Sequence, residues 1–182
     1  LLIHRDEIKE VGLTRTFEEP VASFPELEEM GRAGECSFLS PLHIQVRIDR
    51  VSEMLVVRGN VAVTLQFSCS RCLTDFVHEL QCPFEATFVE ELPDVEGDDG
   101  DEKELTPEEM GISLLQDEEI NLVDIIQEQL IMAFPLRPLC KEECKGLCPL
   151  CGADLNQTTC QCAPPSGSSK FAALKDFMVE KK

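Results

Sequence analysis

The chain has 182 residues, 43% of them hydrophobic, enough for one ordinary domain plus a small satellite and too apolar for wholesale disorder. Its 35 acidic and 16 basic residues leave a net charge of −19, which opposes direct binding to nucleic-acid phosphates and suits contact with basic proteins. No apolar run approaches the ~18 residues of a membrane helix, and LLIHRDEIKE carries charge where a secretory signal is apolar. A cytoplasmic, reducing setting without membrane contact is therefore expected, where clustered cysteines favour metal over disulfides.

Residues 1–41 are acidic with scattered apolar positions such as Leu2, Ile8, Val11, Phe24 and Leu27, and predict an edge strand and a loop. Cys36, in GRAGECSF, has no neighbouring cysteine and reads as a spare thiol or a packing residue. From Leu42 the pattern sharpens: Leu42, Ile44, Val46 and Ile48 alternate with His43, Gln45, Arg47 and Asp49, the period of a half-buried strand. Val51 to Val57 predicts a second strand, Gly59-Asn60 a turn, and Val61, Val63, Leu65 and Phe67 a third strand running into CSRC. Beyond that turn Phe76, His78, Leu80, Cys82, Phe84, Ala86 and Phe88 share one face, so Cys82 reads as a small buried hydrophobe and His78 as a half-buried imidazole. His4 and His43 read as surface residues.

Residues 90–109 carry eleven acids against Lys103 alone. This composition predicts a solvated acidic loop, with a docking surface for a basic partner as the sharper reading. A helix over 121–134 follows, with Asn121 as N-cap, Asp124 at the positive end of the dipole, and Leu122, Ile126, Leu130 and Ala133 on one stripe. Pro135 and Pro138 end it just before Cys140. After Cys162, APPSGSS predicts a flexible joint, and KFAALKDFMVEKK a short amphipathic tail helix. The fold class expected is α+β: an antiparallel β meander or small open barrel with one main helix and a C-terminal Cys-rich zinc-binding segment. The boundaries expected are a β-rich domain over 1–135, the Cys-rich segment over 136–162, and linker and tail over 163–182.

Eight of the ten cysteines fall in close pairs: Cys69 and Cys72, Cys140 and Cys144, Cys148 and Cys151, Cys160 and Cys162. Tetrahedral zinc takes four such ligands, and short spacings let one turn of backbone present two thiolates. In Cys148 to Gly152 the proline stiffens the turn, and glycine after the second cysteine tolerates positive φ where amides approach sulfur. A disulfide cluster, a redox dithiol and reduced structural thiols are the other readings. Two four-thiolate sites fit the count, and the first division joins Cys69, Cys72, Cys140 and Cys144, leaving Cys148, Cys151, Cys160 and Cys162 as a self-contained loop. A zinc ribbon would instead join the two C-x-x-C turns, and a single site with idle thiols is a third possibility.

The stretches CSRCLTDF, INLVDIIQEQLIMAFPLRPLC and CKGLCPLCGADLN, in this order around an acidic segment, resemble the YceD family of bacterial and plastid proteins. The resemblance covers about a third of the chain. It implies assistance in accumulating large-subunit ribosomal RNA, in the cytoplasm, and supplies no catalytic residue; the cysteine spacing adds the expectation of one or two structural zinc ions. The expected partners are components of the large ribosomal subunit, a basic ribosomal protein first among them, with rRNA contact indirect or confined to a local basic patch. No small-molecule substrate is expected. Eight thiolates leave no open coordination position for water, and the acidic pairs Glu90-Glu91 and Asp98-Asp99 lie in a loop without rigid support. The competing functions are a thiol redox protein, for which Arg71 could lower a neighbouring thiol pKa, and a zinc-ribbon nucleic-acid-binding protein.

Overall fold

The structure, a computed structural model, describes residues 1–90, 111–115 and 118–162. In chain order its elements are β1 (Leu2–His4), β2 (Leu13–Glu19), α1 (Pro25–Ala33), β3 (Ser37–Phe38), β4 (Leu42–Val51), β5 (Met54–Ser68), β6 (Asp75–Val89), β7 (Ile112–Leu114), β8 (Glu119–Asn121) and α2 (Leu122–Ala133). One sheet has the order β2-β4-β5-β6-β7, with β3 pairing β5 beyond the end of β4. All of its pairs are antiparallel except β6 with β7. A separate antiparallel pair joins β1 to β8, across most of the chain. Among the described residues no helix is long and apolar enough to cross a membrane. The fold is α+β, with a mostly antiparallel sheet and, among the described residues, two α-helices.

Three sequence expectations need correction. First, Gly59-Asn60 is no turn: β5 runs unbroken through it, and the reversal is at Ser52-Glu53, where Val51 pairs with Met54. Gly59 lies on the core face opposite Phe84, and a Cβ there would stand 2.3 Å from the end of the Phe84 ring and 2.6 Å from the Gln45 carbonyl. The glycine makes room for an aromatic ring that covers it. Second, residues 1–41 hold three strands and a helix rather than one strand and a loop. α1 opens on Pro25 and ends at Gly34, which takes φ 79°, with Phe24 and Leu27 fully buried. Third, among the described residues a second helix, α1, accompanies the one main helix expected. Of the acidic stretch 90–109, Glu90 alone is among the described residues, in an ion pair of 2.8 Å with Arg5. The rest of that stretch and the tail helix expected after residue 162 lie outside them.

The core sits between the inner face of the sheet and the helices. Leu42, Ile44, Val46 and Ile48 of β4 and Val57, Val61 and Leu65 of β5 are sealed there with Leu122, Ile126 and Leu130 of α2. Cys36 and Cys82 are buried in the same core, and burial pushes both thiols up. Asn121 caps α2 as expected, its side-chain oxygen accepting the Val123 N–H at 3.1 Å. Asn121→Ala is expected to lower stability by about 1 kcal/mol, read as an earlier denaturant midpoint with unchanged slope.

Two rings turn this core toward the cysteines. Phe67, two residues before Cys69, meets Phe134, at the end of α2, edge-on with centroids 5.9 Å apart. Phe76 lies 6.3 Å from Phe67. The strand end and the helix end are thereby held together, and both chains continue into cysteine pairs.

Candidate metal centres

Cys69 to Thr74 form the turn between β5 and β6, closed by the Cys69 N–H on the Thr74 carbonyl at 3.0 Å and the Leu73 N–H on the Cys69 carbonyl at 2.9 Å. The segment leaving α2 is fastened to this turn by the Ser70 N–H, which donates to the Pro138 carbonyl at 2.8 Å. Four sulfurs converge as a result. Cys69 Sγ lies 3.8 Å from Cys144 Sγ, and Cys72 Sγ 3.7 Å from Cys140 Sγ. The sulfurs of Cys69, Cys72, Cys140 and Cys144 all lie within 4.8 Å of one another, and those of Cys148, Cys151, Cys160 and Cys162 form a second such group. Four thiolates at about 2.3 Å around one tetrahedral ion stand about 3.8 Å apart, whereas a disulfide needs about 2.0 Å. All ten cysteines are free thiols. The sulfurs of the two C-x-x-C turns fall in different groups, so the zinc-ribbon arrangement is not the one adopted.

The two groups differ in setting. The first brings together two distant stretches of chain, 69–72 and 140–144, and Cys69, Cys72 and Cys144 are buried with Phe76, Leu139 and Leu147 packed around them. The second is local to 148–162, with Cys151 and Cys162 exposed. Gly152, after its second cysteine, takes φ 71° as its position required.

Backbone amides aim at the sulfurs. The Cys140 N–H bonds Cys69 and, against burial and with the N–H groups of Cys72 and Arg71, holds that thiol down at about 6. The N–H groups of Cys151 and Leu150, with the Cys160 thiol, bring Cys148 to about 6. Burial opposes ionisation of Cys144, but the Asn156 amide and the Gly146 N–H prevail and keep its pKa low. Within the groups other thiols keep their protons: burial, then bonds to Cys72, Cys144 and Cys69, pushes Cys140 up to about 12, and a bond to Cys151 does the same for Cys162. For Cys160 the Cys162 N–H favours the anion, yet the bond with Cys148 wins and raises it. Each group thus offers thiolate at neutral pH beside thiols that a dication would deprotonate. With four sulfurs and no carboxylate or imidazole in either group, both fit a thiophilic metal such as zinc.

Two residues around the sulfurs were not singled out in these roles by their sequence context. Arg71, between the first two cysteines, donates from Nη1 to the carbonyls of Cys144 at 2.8 Å and Glu142 at 3.2 Å. Its charge grips backbone; what reaches Cys69 is its own N–H. Asn156 donates from Nδ2 to Cys144 Sγ at 3.3 Å and accepts the Lys145 N–H at 2.9 Å. It also donates to Asp154, whose carboxyl its backbone N–H and side chain hold below the usual range. Asn156 belongs to the loop of the second group and touches a sulfur of the first, an outer contact of the kind that orients ligands. Its signal was faint: Asp-x-Asn is a turn-forming pair in any loop. His78 packs beside Phe67 at 6.1 Å and joins neither group.

The family model of the large ribosomal RNA subunit accumulation protein YceD matches residues 57–178, a range that includes all eight clustered cysteines. An uncharacterized protein of Mycobacterium tuberculosis is 32% identical over 114 residues, 63% of this chain and 51% of its own length. One from Mycobacterium leprae is 28% identical over 116 residues, covering 64% and 50%. A Zea mays protein, named large ribosomal RNA subunit accumulation protein YCED homolog 1, chloroplastic, is 26% identical over 145 residues, covering 69% and 50%. The chain spans about half the length of the curated relatives it matches. No solved structure matches it.

Proposed function

The chain belongs to the YceD family, and from that membership we propose that it is a non-enzymatic binding factor for the accumulation of large-subunit ribosomal RNA, with a structural zinc ion in each group of four cysteines. One observation supports the zinc most: two sets of four sulfurs, each set within 4.8 Å, with separations of 3.8 and 3.7 Å in the first that match the edge of a tetrathiolate tetrahedron. Filled this way, neither ion keeps a position for water, which removes the usual route to hydrolysis. Cys69, Cys72, Cys140 and Cys144 would clasp the sheet to the segment after α2, and Cys148, Cys151, Cys160 and Cys162 would fold the loop that follows.

The client we favour is a basic protein of the large subunit, in the cytoplasm. The net charge of −19 favours it over bare RNA, and each dication among four thiolates adds a formal charge of about −2. That count weighs against a zinc-ribbon nucleic-acid binder. A redox dithiol is weakened because each C-x-x-C sulfur has two further sulfurs in reach. The test is genetic and quantitative. In cells lacking the protein, large-subunit rRNA should fall relative to small-subunit rRNA; the wild-type chain should restore it and Cys69→Ser should not. An unchanged ratio in the deletion would overturn the assembly role.

A further inference from the structure

The outer edge of β6 has features that neither the cysteines nor the family assignment explains. β6 pairs β5 along its whole length, but on its other side, among the described residues, only Thr87–Val89 are paired, with β7. Among the described residues, Asp75 to Glu85 have no strand beside them there. In an antiparallel ladder every second residue turns its N–H and C=O away from its partner. Three observations give the parity. Pro83, opposite Asn60, has no N–H to offer and so stands at a non-hydrogen-bonded pair. At one end the Cys69 N–H donates inward to Thr74, and at the other the Val89 carbonyl accepts outward from the Leu115 N–H. Asp75, Val77, Glu79 and Gln81 therefore direct their backbone groups to the open edge.

The side chains of the same four residues are exposed, Val77 by 61%. The row continues at the turn with Leu73, 68% exposed and in the left-handed region at φ 59°. The equivalent place in the second cysteine turn holds Gly152, which takes that conformation without strain. A leucine kept there at a conformational cost is a side chain presented outward. Along the edge apolar and acidic positions alternate as Leu73, Asp75, Val77 and Glu79, and β6 contains no lysine or arginine. Edges are commonly guarded by lysine, proline or a bulge; here Pro83 alone stands guard, at the far end. Self-pairing through this edge would bring acids opposite acids, which destabilises a ladder, while a basic strand gains by the same arrangement.

We propose that the Asp75–Gln81 edge of β6 binds an extended basic protein segment, which adds to the sheet as a further strand. The proposal rests on the reading above in taking the client to be a basic protein, and deepens it by naming the surface and the mode of recognition. Backbone pairing provides the attachment, Asp75 and Glu79 select for charge, and Leu73 and Val77 meet apolar side chains on the incoming strand.

The probe is a labelled octapeptide of alternating lysine and valine, beside the same peptide N-methylated at alternate amides, equal in charge but unable to form the ladder. At physiological salt the first should bind the zinc-loaded chain at least tenfold more tightly than the second. Val77→Pro removes one outward N–H at a parity where Pro83 is already accommodated; it should weaken the first peptide at least tenfold with metal content unchanged. Should that variant fail to fold, Glu79→Lys serves in its place with the same expected loss. Equal binding of the two peptides, or undiminished binding by the folded variants, would overturn the proposal. So would a dimer that Val77→Pro dissolves, since the edge would then serve a second copy. In cells, a folded Val77→Pro chain that restores rRNA as well as wild type, where Cys69→Ser does not, would sink the edge proposal and leave the assembly role standing.

Discussion

Cys69→Ser is expected to cost the protein the metal ion proposed for the first group and to release residues 138–156 from the sheet. Cys69 is fully buried, its sulfur faces Cys144 at 3.8 Å, and three backbone N–H groups converge on it. A serine hydroxyl is a harder, less acidic donor and cannot replace a thiolate on a thiophilic ion. Structural zinc contributes roughly 10–16 kcal/mol in small metal-folded peptides, against about 5–15 kcal/mol for a whole domain. The sheet has its own core of β4, β5 and α2 side chains, so it should survive while the fastenings go. In hydrogen exchange the Ser70, Leu147 and Leu155 amides, which donate to Pro138, Arg71 and Gly146, should lose protection, and those of β4 and β5 should keep it. Cys160→Ser, in the second group, should remove the other ion and leave the Ser70 amide protected. Full protection in the Cys69→Ser chain would contradict the clasp.

Gly146→Ala is expected to weaken metal binding at the first group by about 2–3 kcal/mol, roughly 30- to 150-fold in affinity. Gly146 takes φ 74°, and a Cβ there would stand 2.9 Å from the Arg71 carbonyl oxygen and 3.2 Å from Arg71 Cβ. That carbonyl accepts the Leu147 N–H at 3.0 Å, and Arg71 itself holds the Glu142 and Cys144 carbonyls, so the backbone cannot yield without loosening Cys144. Gly152 provides the control. It has φ 71° but nothing within 4 Å of a Cβ, so Gly152→Ala should show only the left-handed penalty of about 1 kcal/mol. Competition with a chromophoric chelator reads both. Equal losses at the two glycines would show that the approach of Arg71 carries no weight.

How legible these features were in the sequence depends on how local their causes are. The strand at Leu42 to Ile48 and the cap at Asn121 follow from residues a few positions apart, and both are present. The meeting of the strand-end and helix-end cysteines could be anticipated from the count and order of the four close pairs, and the contact of Phe67 with Phe134 is the packing that brings it about. Gly59 misled because its reason, the Phe84 ring, lies on the next strand, while glycine beside asparagine locally resembles a turn. β1 was unreadable for the same reason: its partner β8 is far along the chain. α1 hid in a charged stretch whose one sealed position is Leu27. Arg71 and Asn156 bond to groups that only the folded chain brings near, so their roles follow from topology rather than from residue type.

The metal content of the chain, counted by mass spectrometry under native conditions, tests the account at its root. Two zinc ions per chain, both lost on exposure to a strong chelator and accompanied by new reactivity of eight thiols toward alkylation, are the predicted result. A folded chain carrying no metal, with those thiols reactive from the start, would contradict it.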